Sequence, residues 1–277
     1  MKPAPLDYVR PHSLGEAIAC LSDERTNAKI FAGGQSLGPM LNLRLARPGK
    51  LVDIRHIPEL RTVRADARSV AIGAAVTHAE IEDGALEDFS CGLFPFVARG
   101  IAYRAVRNRG TVGGSLAHAD PAADWVSVMA AIGATIVIRG TTGERRVTAQ
   151  EFLVGAFTPQ LGATEILTAV EIPRLSPAAR WGYYKICRKT GELAQAIGVT
   201  INDPQTGTFR IVAGATEGRP LLLDRGAEAL ADHGPEHAAR HVREEVNETL
   251  SHVASTRRQQ LAVAVERSLQ MVLRDRA

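Results

Sequence analysis

Two stretches carry residue types that could hold a phosphorylated ligand. The first is Ile30-Phe31-Ala32-Gly33-Gly34-Gln35-Ser36-Leu37; the second, Arg109-Gly110-Thr111-Val112-Gly113-Gly114-Ser115-Leu116, follows about eighty residues later. Each has an apolar lead-in, paired glycines and then a small hydroxyl side chain. Adjacent glycines let the backbone adopt positive φ and bring bare N–H groups against a ligand where a bulkier residue would block approach. Either pair alone is ordinary turn chemistry. Two of the same grammar, brought together, would hold a diphosphate from both sides.

Other chemistry is mostly excluded. There is no G-x-x-x-x-G-K-[ST], and Gly33 to Gly38 has its glycines at the wrong offsets for G-x-G-x-x-G, so neither a P-loop nor a nicotinamide-binding Rossmann site is expected. His118 and Asp120 lack a further ligand at metal-type spacing, and no metal is expected. Asp124 stands at a helix start, where it either caps the helix or accepts from a ligand hydroxyl. Arg104, Arg107 and Arg109 read as a solvated face, or as a phosphate or partner contact beside the second stretch. Cys187, between Lys185 and Arg188, fits a buried strand cysteine better than a reactive thiol. No nucleophile with a paired base, H-E-x-x-H or G-x-S-x-G occurs, so no catalytic side chain is expected and demanding chemistry would come from a bound cofactor.

The elements that would position these residues follow from periodicity. Ser13 to Glu16 has capping-box spacing before a helix with Leu14, Ala17, Ile18 and Leu21. A strand over 28–32 delivers the first glycine loop, a helix over 36–45 breaks before Pro48, and a strand follows over 51–54. Pro58 marks a boundary, after which 62–65 and 69–73 form a hairpin. Thr77 to Glu80 and Thr148 to Glu151 repeat the capping box. A buried helix is expected over 94–105 and another over 124–132. Strands are expected over 135–139, 145–147 and 166–172, the last closed by Pro173. Strands over 181–185, 194–201 and 208–213, with a turn at Asn202-Asp203-Pro204, precede helices from Pro220 onward. The last helix carries Leu261, Ala264, Val265, Leu269 and Val272 on one face. Strands followed by helices suggest a separate α+β domain.

Composition narrows the class. A chain of 277 residues with 45% apolar residues can bury two or three cores. Its 33 basic and 30 acidic residues create no strong field for a polyanion, and aromatics at 5% offer no stacking surface, so nucleic acid is not an expected partner. Three scattered cysteines fit a reducing cytoplasm. No segment has eighteen uninterrupted apolar residues and the N-terminus lacks an apolar h-region, so neither a membrane span nor export is expected.

Ala32 to Leu37, the tract Leu43-Arg44-Leu45-Ala46-Arg47-Pro48 to Leu51-Val52-Asp53-Ile54, and Thr111 to Asp124 together resemble the FAD-binding medium subunit of the molybdenum hydroxylases, the xanthine dehydrogenase and aerobic carbon monoxide dehydrogenase type enzymes. The resemblance covers nearly the whole chain. It implies an α+β chain with the vanillyl-alcohol-oxidase-type FAD-binding fold: two α/β subdomains, residues 1–57 and 58–173, then a C-terminal domain of antiparallel sheet plus helices, residues 174–277. It implies FAD extended between the first two. Ala32, Gly33, Gly34, Gln35, Ser36 and Leu37 would wrap the diphosphate, and Thr111, Gly114 and Ser115 would close from the other side. Asp124 would bind ribityl or ribose hydroxyls. Ile101 and Leu167 would be apolar contacts, and Lys185 a basic position facing the flavin.

The implied function is an electron-transfer oxidoreductase subunit. A molybdopterin large subunit would oxidise the substrate, and an iron–sulfur (2Fe-2S) small subunit would relay electrons to this FAD. A quinone, dioxygen, a cytochrome or NAD would be the terminal acceptor, in a dimer of heterotrimers. Three scattered thiols cannot ligate a pair of two-iron clusters, so the clusters belong on another chain. The alternatives are a self-sufficient flavin oxidase of the same superfold and a nucleotide-binding protein without redox chemistry.

Overall fold

The structure, a computed structural model, describes residues 2–273. Met1 and residues 274–277, at the outer ends of the expected ranges 1–57 and 174–277, lie outside the described residues. Strand β1 (Asp7–Val9), helix α1 (Leu14–Ser22), strand β2 (Ala28–Phe31), helix α2 (Leu37–Asn42) and strand β3 (Lys50–Asp53) form a small parallel unit in the order β1-β3-β2. Leu14, Ala17 and Leu21 of α1 pack with Val52, Ile54, Ile57 and Leu60. The expected capping box at Ser13 is half formed: its hydroxyl takes the Glu16 N–H at 3.2 Å, while the Glu16 carboxylate takes the N–H of His12. Strand β1 is an addition to the expected elements, since three residues are too few to show a period.

Strands β4 (Val63–Ala65) and β5 (Ser69–Gly73) make the expected hairpin. Helix α3 (His78–Glu82) starts at a complete capping box between Thr77 and Glu80. The single helix expected over 94–105 is two, α4 (Leu93–Arg99) and α5 (Arg104–Arg107), parted at Gly100 and at Ala102, which has φ +44°. That break frees the carbonyls of Gly100, Ile101 and Ala102 for side-chain donors. Helices α6 (Val112–His118) and α7 (Asp124–Ile132) follow, then the hairpin of β6 (Thr135–Gly140) and β7 (Gly143–Thr148). After α8 (Ala149–Phe152), the small hairpin of β8 (Leu153–Gly155) and β9 (Thr158–Pro159) leads to β10 (Ile166–Pro173). Pairing is antiparallel in the order β4-β5-β10-β6-β7, so the layers are α+β rather than alternating α/β. Helix α7 is buried along its whole length, which accounts for an apolar pattern with little face preference.

Strands β11 (Arg180–Ile186), β12 (Ala196–Asp203), β13 (Thr208–Gly214) and β14 (Leu221–Leu222) form an antiparallel sheet in that order. It is backed by α9 (Asp224–His233), α10 (Pro235–Thr249) and α11 (Ser255–Val272). Strand β12 runs on to Asp203, beyond the expected end at 201. The Asp203 carboxylate is fully buried because it takes the backbone N–H of Ser176 at 2.8 Å. Helix α11 lies directly on the sheet at Gly182 and Gly198, where added Cβ atoms would stand 1.8 Å from the Ser268 oxygen and 2.2 Å from the Ala264 oxygen. Leu261, Ala264, Val265 and Leu269 fill that interface. On its other face the sheet gives Trp181, Tyr183, Ile197 and Val199 to the core around Trp125 and Phe94. The third sheet is thus bound to α7, which places β11 beside Asp124.

Candidate functional site

The first glycine loop leaves β2 at Phe31 and enters α2 at Leu37. Gly34 has φ +72°, and a Cβ there would also lie 2.6 Å from the Phe31 ring. Gly33 abuts the second stretch: its Cβ would stand 2.1 Å from the Arg109 carbonyl oxygen and 2.7 Å from Gly110 Cα. A Cβ on Gly114 would be 3.4 Å from that of Ala32 and 2.8 Å from Thr111 Oγ1. The two stretches therefore converge, and the bare backbone of Gly33 serves first to let one lie on the other.

Their donors differ. Among the described residues, the backbone N–H groups of Gly33, Gly34, Gln35, Ser36 and Leu37 donate to no acceptor of the chain, whereas Gly38 donates to the Gly34 oxygen at 2.9 Å and Met40 to Ser36 at 3.2 Å. Successive unused N–H groups form an anion-binding concavity. In the second stretch, Val112 donates to Val76 (3.1 Å), Gly113 to Ala74 (3.0 Å), Ser115 to the Thr111 oxygen (3.0 Å) and Gly114 to Thr111 Oγ1 (3.0 Å). Residues 112–118 are helix α6 rather than an open loop, so these N–H groups are committed. What this side offers a ligand is hydroxyl: Thr111 accepts from Gly114 and keeps its own proton to donate, as does Ser115.

Both stretches are braced from behind. The Arg55 guanidinium lies 5.3 Å from the centre of the Phe31 ring. Arg55 is tied to the fully buried Asp53 by Nε at 2.9 Å, Nη2 at 2.6 Å and its own N–H at 3.0 Å, and the Tyr8 hydroxyl donates to the same carboxylate. Burial alone would raise the Asp53 pKa, but hydrogen bonds from Arg55 and Tyr8 outweigh it and hold the carboxyl at about 2, against 3.8 for a free group. A depressed pKa contributes stability that is complete above the unfolded value and lost as pH falls through the folded one. Denaturant unfolding should therefore show a loss of about 2 kcal/mol between roughly pH 4 and 2, absent in Asp53→Asn; an acid limb unchanged in that variant would refute the assignment.

Behind the second stretch, His78 takes the Trp125 indole N–H on Nδ1 at 3.1 Å, and its backbone N–H donates to the Gly110 oxygen at 2.9 Å. Burial, aided by the charge of Arg107, lowers its pKa to about 4, so it stands neutral as a packed prop.

A third group of residues meets at the start of α7. Asp124, 5% exposed, receives the Lys185 ammonium at 2.8 Å and the Tyr183 hydroxyl, both on Oδ1. Lys185 also donates to the Gly100 oxygen at 3.0 Å, which places the α4–α5 break, and hence Ile101, beside the cluster. The N-cap of α7 is Ala123 with no side-chain cap, so the capping role open to Asp124 in the sequence is not the one it has. Tyr183 keeps its proton, because burial and then the neighbouring carboxylate push its pKa well above 10.

Other expected residues lie elsewhere. Leu167 is 4% exposed within β10, at a bulge in the pairing with β6. Arg104 and Arg109 are exposed, as a solvated face would be, whereas Arg107 is buried; Arg107 clasps Glu82 at 2.7 and 2.9 Å, and Arg104 reaches Glu82 and Asp83 at 2.9 and 2.6 Å. The His118 ring rests 5.2 Å from that of Phe157, and Asp120 accepts from the Ala122 N–H. Asp53, Arg55, His78 and Tyr183 were not among the expected site residues. Two of them leave a signal: Asp53 stands in the tract that carries the resemblance, and Tyr183 lies two residues from Lys185 on one strand and so on the same face.

A run of unused backbone N–H groups meeting a hydroxyl-bearing helix start has the chemistry of a site for a phosphorylated cofactor. The bare loop, the hydroxyls opposite and Asp124 fit a dinucleotide with a diphosphate and polyol hydroxyls. Residues 4–175 match the family described as FAD binding domain in molybdopterin dehydrogenase. The carbon monoxide dehydrogenase medium chain of Hydrogenophaga pseudoflava is 38% identical over 196 residues, 71% of this chain and 68% of that one. The nicotine 6-hydroxylase medium subunit of Paenarthrobacter nicotinovorans is 34% identical over 79% and 77% of the two chains. Among solved structures, carbon monoxide dehydrogenase from H. pseudoflava superposes with a TM-score of 0.88 at 31% identity over 99% of both chains. Quinoline 2-oxidoreductase from Pseudomonas putida 86 gives 0.87 at 35% identity over 99% and 97%.

The chain belongs to the FAD-binding medium subunits of the molybdenum hydroxylases, oxidoreductase components with FAD as cofactor and the α+β FAD-binding fold. Among the described residues, no helix is long and apolar enough to cross a membrane.

Proposed function

We propose that the chain holds FAD as the outlet of a heteromeric molybdenum hydroxylase. A molybdopterin large subunit oxidises the substrate, a 2Fe-2S small subunit passes the electrons here, and a quinone, dioxygen, a cytochrome or NAD receives them. Bound flavin supplies storage for two electrons and their release in one or two steps. The chain's own part is to bind and orient. The N–H groups of Gly33 to Leu37 take the diphosphate from one side, with Thr111, Ser115 and the missing side chain of Gly114 on the other. Asp124 accepts from a ribityl or ribose hydroxyl, Ile101 and Leu167 give apolar contacts, and Lys185 sets positive charge beside the flavin. Residues 1–57 and 58–173 form the two halves of the binding cleft, and 174–277 the domain behind it.

The observation that supports this reading is the run of five unused N–H groups in a loop that meets the second stretch at Gly33 and Ala32. Purified full-length chain should be yellow, or become so with added FAD, and should release FAD rather than FMN on denaturation. Colourless protein that takes up no FAD would overturn the reading. Copurification with a cysteine-rich chain and a molybdopterin-type chain tests the assembly; a chain that oxidises substrate alone would point instead to a self-contained oxidase.

A further inference from the structure

We infer that Tyr183 is a positioning residue for the cofactor: it fixes the plane of the Asp124 carboxylate so that Oδ2 is presented to a ligand hydroxyl. The inference rests on the role given to Asp124 above. Asp124 Oδ1 takes both donors that the sheet sends to it, the Tyr183 hydroxyl and the Lys185 ammonium. Among the described residues no donor of the chain reaches Oδ2. A carboxylate has about four lone-pair sites, so two bonds on one oxygen leave the other able to accept. It can accept only, so the partner must donate, as a polyol hydroxyl does.

The two donors are not equivalent. Lys185 ends in an ammonium on a flexible stem and also serves the Gly100 oxygen, so it can follow the carboxylate if it turns. Tyr183 cannot follow. Its ring is 6% exposed, edge-on to Phe96 at 6.3 Å, and sits on a strand paired along its length with β12. Its hydroxyl therefore occupies a fixed point. Burial of that hydroxyl keeps it protonated and a permanent donor. The C-terminal sheet thereby sets the aim of a residue on α7, and its attachment to the cofactor-binding part becomes a binding determinant.

The test is a double-mutant cycle in the full-length apo chain, titrated with FAD and followed by quenching of flavin fluorescence. Tyr183→Phe should weaken FAD about tenfold, the value of one hydrogen bond to a charged group. In an Asp124→Ala background the same change should alter the dissociation constant less than about twofold, since a residue acting through Asp124 has nothing left to aim. A merely structural Tyr183 would give the same loss in both backgrounds, and that result would overturn the proposal, as would an unaltered affinity in Tyr183→Phe. If Tyr183→Phe fails to fold, 3-fluorotyrosine at position 183 keeps the ring and changes the donor strength. Its effect on FAD affinity should likewise vanish with Asp124→Ala, and an effect that persists would overturn the proposal. A wild-type chain that binds no FAD would sink the site reading as a whole. Wild-type binding with Asp124→Ala at full affinity would sink this inference and the Asp124 contact it rests on, and leave the glycine-loop site standing.

Discussion

Gly33→Ala is expected to abolish FAD retention, weakening binding by about a hundredfold or more, and to destabilise the apo chain by about 2–3 kcal/mol. One methyl group has this effect because of where it would go. An added Cβ would stand 2.1 Å from the Arg109 carbonyl oxygen and 2.7 Å from the carbon of that carbonyl, and these are backbone atoms that cannot swing aside as a side-chain end could. Relief requires the two stretches to separate by more than an ångström. The Arg109–Gly110 backbone is itself tethered, since the Gly110 oxygen accepts from His78 and the next residues are bonded to Val76 and Ala74. The first loop must move instead, carrying away the N–H groups of Gly33 to Leu37. Gly38→Ala is the control, because a Cβ there meets nothing within 4 Å. Equilibrium dialysis against FAD and thermal unfolding of both variants decide the matter; a Gly33→Ala protein that retains FAD like wild type would mean the stretches do not share a ligand.

This expectation shows which parts of the site could be read from the chain and which could not. That the two glycine stretches stand out, and that they meet, follows from residue type, because residue type alone restricts what a backbone can do. The separate uses of the two glycine stretches do not. Residues 110–116 and 31–37 look alike as text, yet one is pinned into α6 by Ala74 and Val76, and those contacts come from a strand end about forty residues earlier. Arg104 and Arg107 misled for a related reason. Their position beside the second stretch allowed a phosphate or partner contact as well as a solvated face, but Glu82 at the end of α3 and Asp83 just after it pair with them. Long helices and paired strands follow their periodicity, while the break at Gly100 to Tyr103 leaves no mark in the sequence because the flanking residues are apolar enough for one helix. The break matters, since the freed Gly100 carbonyl becomes a partner of Lys185.

Asp53→Asn is expected to destabilise the protein by about 3 kcal/mol, because removing one partner of a buried pair leaves the other charge uncompensated. Asp53 is fully buried, and every contact it makes is as an acceptor: from Arg55 Nε, Nη2 and N–H, and from the Tyr8 hydroxyl. An asparagine of the same shape would turn an NH2 group toward donors on one side. The Arg55 side chain is 23% exposed, so water can partly solvate the orphaned guanidinium and the cost should lie toward the low end of the range for such pairs. For a chain of this size that corresponds to a fall in melting temperature of about 5–10 °C. Arg10, 3.7 Å from Asp53 and half exposed, is the comparison: Arg10→Ala should cost under about 1 kcal/mol. The damage should reach the cofactor as well. Arg55 rests on the Phe31 ring, and Phe31 packs under Gly34, so loosening the arginine frees the loop proposed to take the diphosphate. Saturating FAD should then recover part of the lost melting temperature, since a ligand that binds only the native state stabilises it by mass action. Recovery by FAD together with weakened affinity in Asp53→Asn would show that the ion pair supports the loop. A stability loss below about 1 kcal/mol, or unaltered FAD affinity despite a large loss, would show that the pair holds only the small parallel sheet.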